Sequence, residues 1–189
     1  MIKKYTALVA SVAILFPLLD QANAALSEPE RHLIKTSLTQ PNHFNDRFEA
    51  EVWLTDMSLR LKKRIRSHHD RIKLLNIVHT EAHKADLEPE LVLAVIDVES
   101  SFNRWAISPV GARGLMQIMP FWQKEIGKPD DNLFHLQTNI RMGCKILRHY
   151  IDIEKGNIAK GLARYNGSRK SNRYPLKVMS ALRDNWYRP

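Results

Sequence analysis

The sequence has 189 residues, with 29 Lys and Arg against 20 Asp and Glu, for a formal net charge of +9. That balance favours anionic partners, whether nucleic acid, anionic lipid or an acidic wall polymer. A lone cysteine, Cys144, excludes an internal disulfide, and no group of His and Cys has metal-ligand spacing, so no metal is expected.

The chain opens on what reads as an export signal. Lys3 and Lys4 form a positive start, Thr6 to Leu19 an apolar stretch of 14 residues, and Ala22-Asn23-Ala24 a small-x-small cleavage pattern. A spanning helix needs about 20 apolar residues, so this stretch is too short for a conventional anchor. No cysteine follows the cut, so lipid anchoring is not supported. Residues 1–24 are therefore expected to be a signal peptide, with a periplasmic product that meets wall or membrane and not nucleic acid. Cleavage leaves 165 residues at +8, enough for one domain with a core.

The rest is helical in pattern. Ser27-Glu28-Pro29-Glu30 reads as a capping box with Pro just inside the first helix. Leu54, Met57, Leu61 and Ile65 mark a second helix, overlapping the basic run Lys62 to Arg66. That run reads as a wall or lipid patch or, more simply, as a solvated face. Ile72, Leu75, Val78, Ala82 and Ala85 form the stripe of a third, and Pro89 opens a fourth that runs to about Glu99. A fifth starts at Pro120 and closes at Gly127. Ile140, Cys144, Leu147 and Ile151 define a sixth, which ends near Gly156. Pro175 opens the last, with Val178, Met179, Leu182 and Trp186 on one face. His68, His69, His79 and His83 read as solvated helix positions, and Cys144 as a small buried hydrophobe. No stretch alternates as a half-buried strand does; only Ser108 to Gln117, with Gly111 and Gly114, looks like turns or a short hairpin. The expected architecture is a single all-α unit.

Among the acids Glu99 stands apart. At about 100° per residue it falls within roughly 60° of Val92, Val95 and Ile96, so it ends an apolar stripe. Burial there would raise its pKa, as a general acid requires. Periodicity leaves a second reading open, a helix-end carboxylate paired with Arg104 or Arg113.

Three separated motifs favour the first reading: Glu99-Ser100, then Gly114-Leu115-Met116-Gln117 within the run from Ser108 to Pro120, then Tyr165-Asn166. In this order they resemble the soluble lytic transglycosylase (SLT) family, whose catalytic domain is related to goose-type lysozyme. The resemblance spans about Val78 to Trp186. It implies a lysozyme-like catalytic domain over 78–189, with 25–77 as a helical accessory segment packed on it. It also implies roles: Glu99 as catalytic acid–base, Tyr165 as the residue that hydrogen-bonds and orients it, and Ser108, Met116, Gln117 and Asn166 as the lining of a sugar groove. The family usually has Ala before the Tyr-Asn pair; Arg164 stands there and is expected to point outward.

Most glycosidases flank the scissile bond with two carboxyl groups. Nothing in the sequence ties Asp130, Asp131 or Asp152 to a cleft, and the resemblance implies cleavage of peptidoglycan without water or cofactor, leaving a 1,6-anhydro sugar. A goose-type hydrolase and a wall-binding module without activity are the alternatives. The expected partner is the glycan strand, with a monomeric chain; an envelope or secretion-machine protein partner is left open.

Overall fold

A computed structural model describes residues 27–38, 46–128 and 130–187. The expected signal peptide lies outside them.

Among the described residues the apolar stripes become eight α-helices, and α4 (Pro89–Ser100) runs through the middle of the core. Six consecutive residues, Leu91 to Ile96, are buried on it, so it is covered on all sides. Pro89 starts it where its missing N–H costs nothing. Ser101 ends it with φ 50°, and Phe102 follows at φ 66°. These two left-handed residues turn the chain sharply away immediately after Glu99 and Ser100.

Three helices form the N-terminal layer. They are α1 (Glu28–Ser37), α2 (Arg47–Leu61) and α3 (His68–Lys84). In α1 the Ser27 N–H donates to Glu30 Oε2 at 2.9 Å, the reach-back of the expected capping box. Asp46 caps α2 by accepting from the Phe48 and Glu49 amides. A buried guanidinium ties the layer together. Arg71 donates to Ser58 Oγ on α2, to the carbonyls of Ile65 and Arg66, and to Glu30 on α1. Every partner would be left unsatisfied in the interior without it. The division expected at residue 77 falls inside α3, so the layer continues into the rest of the chain through one unbroken helix.

The second half supplies α5 (Phe121–Ile126), α6 (Leu136–Ile153), α7 (Ile158–Tyr165) and α8 (Arg173–Ala181), extended by a π-turn over Leu182–Trp186. α3 packs on α4 and α6, α6 on α7, and α4 on α8 and the π-turn. Among the described residues no strand forms. The segment before α5 closes with two isolated antiparallel bridges, Ile107 to Arg113 and Arg113 to Ile118.

Several expectations need correcting. α2 stops at Leu61, so the basic run lies in the turn before α3, where Arg64 pairs with Asp97 at 2.9 Å. His68 is not solvated: its ring meets Ser58 Oγ and the Glu30 carbonyl, and burial lowers its pKa. His79 is half-buried with its ring edge-on to Trp53. Met179 is 41 % exposed, because it stands about 100° round α8 from the buried Val178. The helix α7 was not expected. It has eight residues and carries Gly161 inside it, a poor helix former kept because a Cβ there would meet Ile151 Cγ1 at 2.6 Å.

Candidate active site

Glu99 occupies the last turn of α4, half-buried, with its Oε1 accepting a 2.6 Å hydrogen bond from Tyr174 Oη of α8. Burial raises its pKa, while the Tyr174 hydroxyl and the charge of Lys177, also on α8, pull partly the other way. The proton is therefore held more firmly than by a free carboxyl, and the carboxylate, once formed, meets a donor and a cation. Among the described residues no other carboxylate is among the groups that act on it. Asp97, two residues earlier, faces away and is occupied by Arg64, Asn185 Nδ2 and Trp186 Nε1. Ser100 turns back to donate to the Ile96 carbonyl.

The tyrosine contact differs from expectation. Tyr165 at the end of α7 gives its hydroxyl to the Met116 carbonyl at 2.7 Å, and the bond to Glu99 comes from Tyr174. Both hydroxyls are held neutral, their pKa values pushed well up by burial first and by the nearby Glu99 charge second. Tyr165 thus lies in the field of Glu99 while its proton is committed to the loop opposite. Tyr174 falls in no motif. Its signal in the sequence was only a Tyr one residue before Pro175, near the start of a helix with a buried face.

That loop is built around Asn139 of α6, which is 1 % exposed. Its Oδ1 accepts from Met116 N at 2.8 Å, and its Nδ2 donates to the carbonyls of Arg113 and Leu133. The side chain reaches this close because residue 114 is Gly: a Cβ there would stand 2.4 Å from Asn139 Nδ2, and φ is +76°. Gln117 sits half-buried at φ 49° and closes the loop from inside, donating to the carbonyls of Gly114 and Ala106. Ser108 Oγ accepts from Ala112 N within its own turn, so its proton remains available to a ligand. Asn166 is exposed at the end of α7.

Met116 is the second correction. Its side chain is fully buried, and its Sδ occupies the space left by Gly143 of α6, where a Cβ would come within 2.2 Å. It is core, and only its carbonyl takes part, through Tyr165. Arg164 points away, bonded to Glu154. Asp131 pairs with Arg141 at 2.7 Å and Asp152 with Arg148 at 2.6 Å. Among the described residues no three His, Cys, Asp or Glu side chains converge as metal ligands.

Residues 76–185 match the family model described as "Transglycosylase SLT domain". The chain is similar to a transglycosylase of Enterobacteria phage PRD1, 38 % identical over 101 residues, which covers 50 % of this chain and 37 % of that protein. It is also similar to the membrane-bound lytic murein transglycosylase C of Cronobacter sakazakii, 30 % identical over 128 residues, covering 59 % and 35 %. The chain thus spans a little over a third of the length of these relatives. The X-ray structure of an inactive mutant of lytic transglycosylase Slt from Pseudomonas aeruginosa superposes with a TM-score of 0.52 at 18 % identity, covering 90 % of this chain and 37 % of that one, a likeness of fold.

Proposed function

We propose that this chain, which belongs to the transglycosylase SLT domain family, is a peptidoglycan lytic transglycosylase with Glu99 as its acid–base. The observation that carries the reading is a half-buried carboxyl whose pKa burial raises, bonded to Tyr174 and, among the described residues, with no second carboxylate acting on it.

The chemistry follows from that environment. The substrate is the β-1,4 bond between N-acetylmuramic acid and N-acetylglucosamine. Protonated Glu99 gives its proton to the departing glycosidic oxygen, and the bond to the muramic C1 breaks. The acetamido carbonyl of the same sugar steadies the positive centre. Glu99, now a carboxylate held by Tyr174 and the field of Lys177, takes the proton of the C6 hydroxyl as that oxygen bonds to C1. The ring closes as 1,6-anhydro-N-acetylmuramic acid, Glu99 regains its proton, and no water is consumed. Burial suits the first half of the cycle, and the hydroxyl and the cation suit the second. Ser108, Gln117 and Asn166 would present the groove to the acetylated sugars.

The chain is exported in this reading, with residues 1–24 removed and a mature N-terminus at Ala25 in the periplasm. Among the described residues no helix is long and apolar enough to cross a membrane. Edman or mass-spectrometric sequencing of the envelope fraction tests this, and an intact Met1 there refutes it.

Mass spectrometry of fragments released from purified sacculi tests the activity. The expected fragments end in the anhydro sugar, one water lighter than lysozyme products. Glu99→Gln should abolish release, at or beyond the upper end of the roughly 10²–10⁴-fold typical of general acid–base catalysis. Free reducing ends that take up ¹⁸O from labelled water would identify a hydrolase, and a Glu99→Gln variant with a tenth of wild-type turnover would move the acid elsewhere.

A further inference from the structure

By sequence Arg104 is a candidate partner for Glu99, yet among the described residues it pairs with no carboxylate. Its guanidinium lies over the Trp105 ring, 4.5 Å from the centroid, and its Nη2 donates to the Phe134 carbonyl at 3.2 Å. Trp105 in turn packs on Phe134, with ring centroids 5.7 Å apart. The cation is thus fixed from two sides. Its Nε is shielded from solvent and has no hydrogen-bond partner among the described residues. A shielded donor left unmet carries a cost that a ligand acceptor would remove.

Arg104 lines a cavity of about 160 Å³ between the N-terminal layer and the loops around Glu99. The apolar walls come from both sides, Ile65 and Leu74 from the layer and Phe102, Leu115 and Leu136 from the rest. Leu74, Phe102 and Leu115 are buried. One further lining residue is Asp70, in the first turn of α3. Its side chain is 65 % exposed, and its charged neighbour is the equally exposed His69 ring, 3.6 Å away. Asp70 and Arg104 thus share one cavity without pairing with each other.

Size and charge together select an occupant. A cavity of about 150 Å³ takes a molecule the size of benzene. The apolar walls therefore hold one branched, thioether or aromatic side chain, and are too short for a lipid tail. The guanidinium asks for a carboxylate, which it can grip with two parallel bonds. The Asp70 carboxylate asks for a cation. A free α-amino acid with an apolar side chain offers all three groups on one small frame.

We infer that this cavity binds a free apolar α-amino acid, with its carboxylate on Arg104, its ammonium towards Asp70 and its side chain among the apolar walls. Phe102 belongs to the left-handed turn that follows the helix of Glu99. Leu115 precedes Met116, whose carbonyl receives the Tyr165 hydroxyl. An occupant therefore ties the N-terminal layer to both loops beside the acid, at a distance from the groove itself.

The test follows thermal unfolding of the full chain with L-leucine, L-methionine, L-phenylalanine and, as a control for bulk ionic effects, glycine. At a hundredfold excess over Kd the apolar three should raise Tm by roughly 5–10 °C, and glycine should leave it in place. Leucinamide, which lacks the carboxylate, should bind at least tenfold more weakly than leucine. N-acetylleucine, which lacks the ammonium, should lose about threefold, because Asp70 faces solvent. Arg104→Ala should bind leucine at least tenfold more weakly. Ile65→Trp, which fills the cavity from a half-buried wall, should abolish the leucine shift while melting near the wild-type temperature without ligand, so that lost binding is not lost fold. The inference is overturned by the absence of a shift with all three apolar amino acids, by an equal shift with glycine or leucinamide, or by undiminished binding in Arg104→Ala. N-acetylleucine that binds as tightly as leucine overturns the assignment of an amino acid.

Discussion

Replacing Asn139 by Ala should unfold or nearly unfold the loop that faces Glu99. The side chain is 1 % exposed and makes three hydrogen bonds of 2.8, 2.9 and 2.8 Å, to Met116 N and to the carbonyls of Arg113 and Leu133. Each buried group left unpaired costs about 1–3 kcal/mol, and water entering the space left by the amide would recover part of it. The net expectation is about 3–5 kcal/mol, a large share of the roughly 5–15 kcal/mol that holds an ordinary domain together. Urea unfolding followed by tryptophan fluorescence measures it. Asn139→Asp is the sharper variant. It keeps an acceptor for Met116 N but turns a donor into a carboxylate facing two carbonyls, so its folded pKa must lie above its unfolded value. Stability linked to such a group is present below the unfolded pKa and is lost as pH rises through the folded one. The Asp variant should therefore approach wild type in acid and fall away from it towards neutrality. An Ala variant within about 1 kcal/mol of wild type, the size of an ordinary substitution, would refute the account. So would an Asp variant whose deficit does not depend on pH.

Tyr174→Phe removes the hydroxyl that lowers the Glu99 pKa, so the limb of the kcat/KM profile where the acid is lost should move to higher pH. Tyr165→Phe, which loses only the Met116 carbonyl, should leave that limb in place; the reverse pattern would return the orienting role to Tyr165. Glu99→Gln should be more stable than wild type at neutral pH, since burial raises the Glu99 pKa and its ionisation works against the fold. That gain should vanish in acid, and denaturant curves at two pH values decide it. Cys144 is 1 % exposed with its thiol pushed up by burial, so thiol reagents should modify it only on unfolding; rapid labelling of native protein would contradict this packing.

The features legible in the sequence were those carried by period and by local chemistry. The stripe from Leu91 to Ile96 and the starts at Pro89 and Pro120 depend on neighbours a turn away, and they appear as expected. Glu99 could be singled out because its place on that stripe is itself a local fact. Which tyrosine reaches it is not. Tyr174 is buried and Tyr165 half-buried near the same carboxylate, and the choice is made by where the 166–172 link lands α8. Met116 illustrates the same limit. A Met in a motif beside a groove looks like a wall residue until Gly143, on another helix, opens the space its sulfur fills. Asn139 left no mark on any pattern, because an amide in an amphipathic helix declares its purpose only when the loop it holds is folded against it. The basic run misled for a related reason: Ile65 continues the period of α2 by spacing alone, while Arg71 captures the Ile65 and Arg66 carbonyls and ends any helix there.

The orientation of Glu99 depends on residues on both sides of the family match. Asp97 stands roughly 160° round α4 from Glu99. It is gripped by Arg64 from the turn before α3 and by Asn185 and Trp186 from the π-turn. Arg64 also lies over the rings of Phe102 and Trp186, at 5.7 and 5.4 Å. The helix is thus pinned by its back, and rotation that would carry Glu99 away from Tyr174 must first break this ion pair and the bonds from Asn185 and Trp186. Arg64 precedes residue 76, where the family match begins, so the N-terminal layer holds the acid in register without touching it. The same bonds explain why Asp97, the carboxylate nearest in sequence, cannot serve as a second catalytic group: its oxygens are committed, and they face the support instead of the groove. A lone acid therefore follows from how the helix is anchored as much as from which residues line the site.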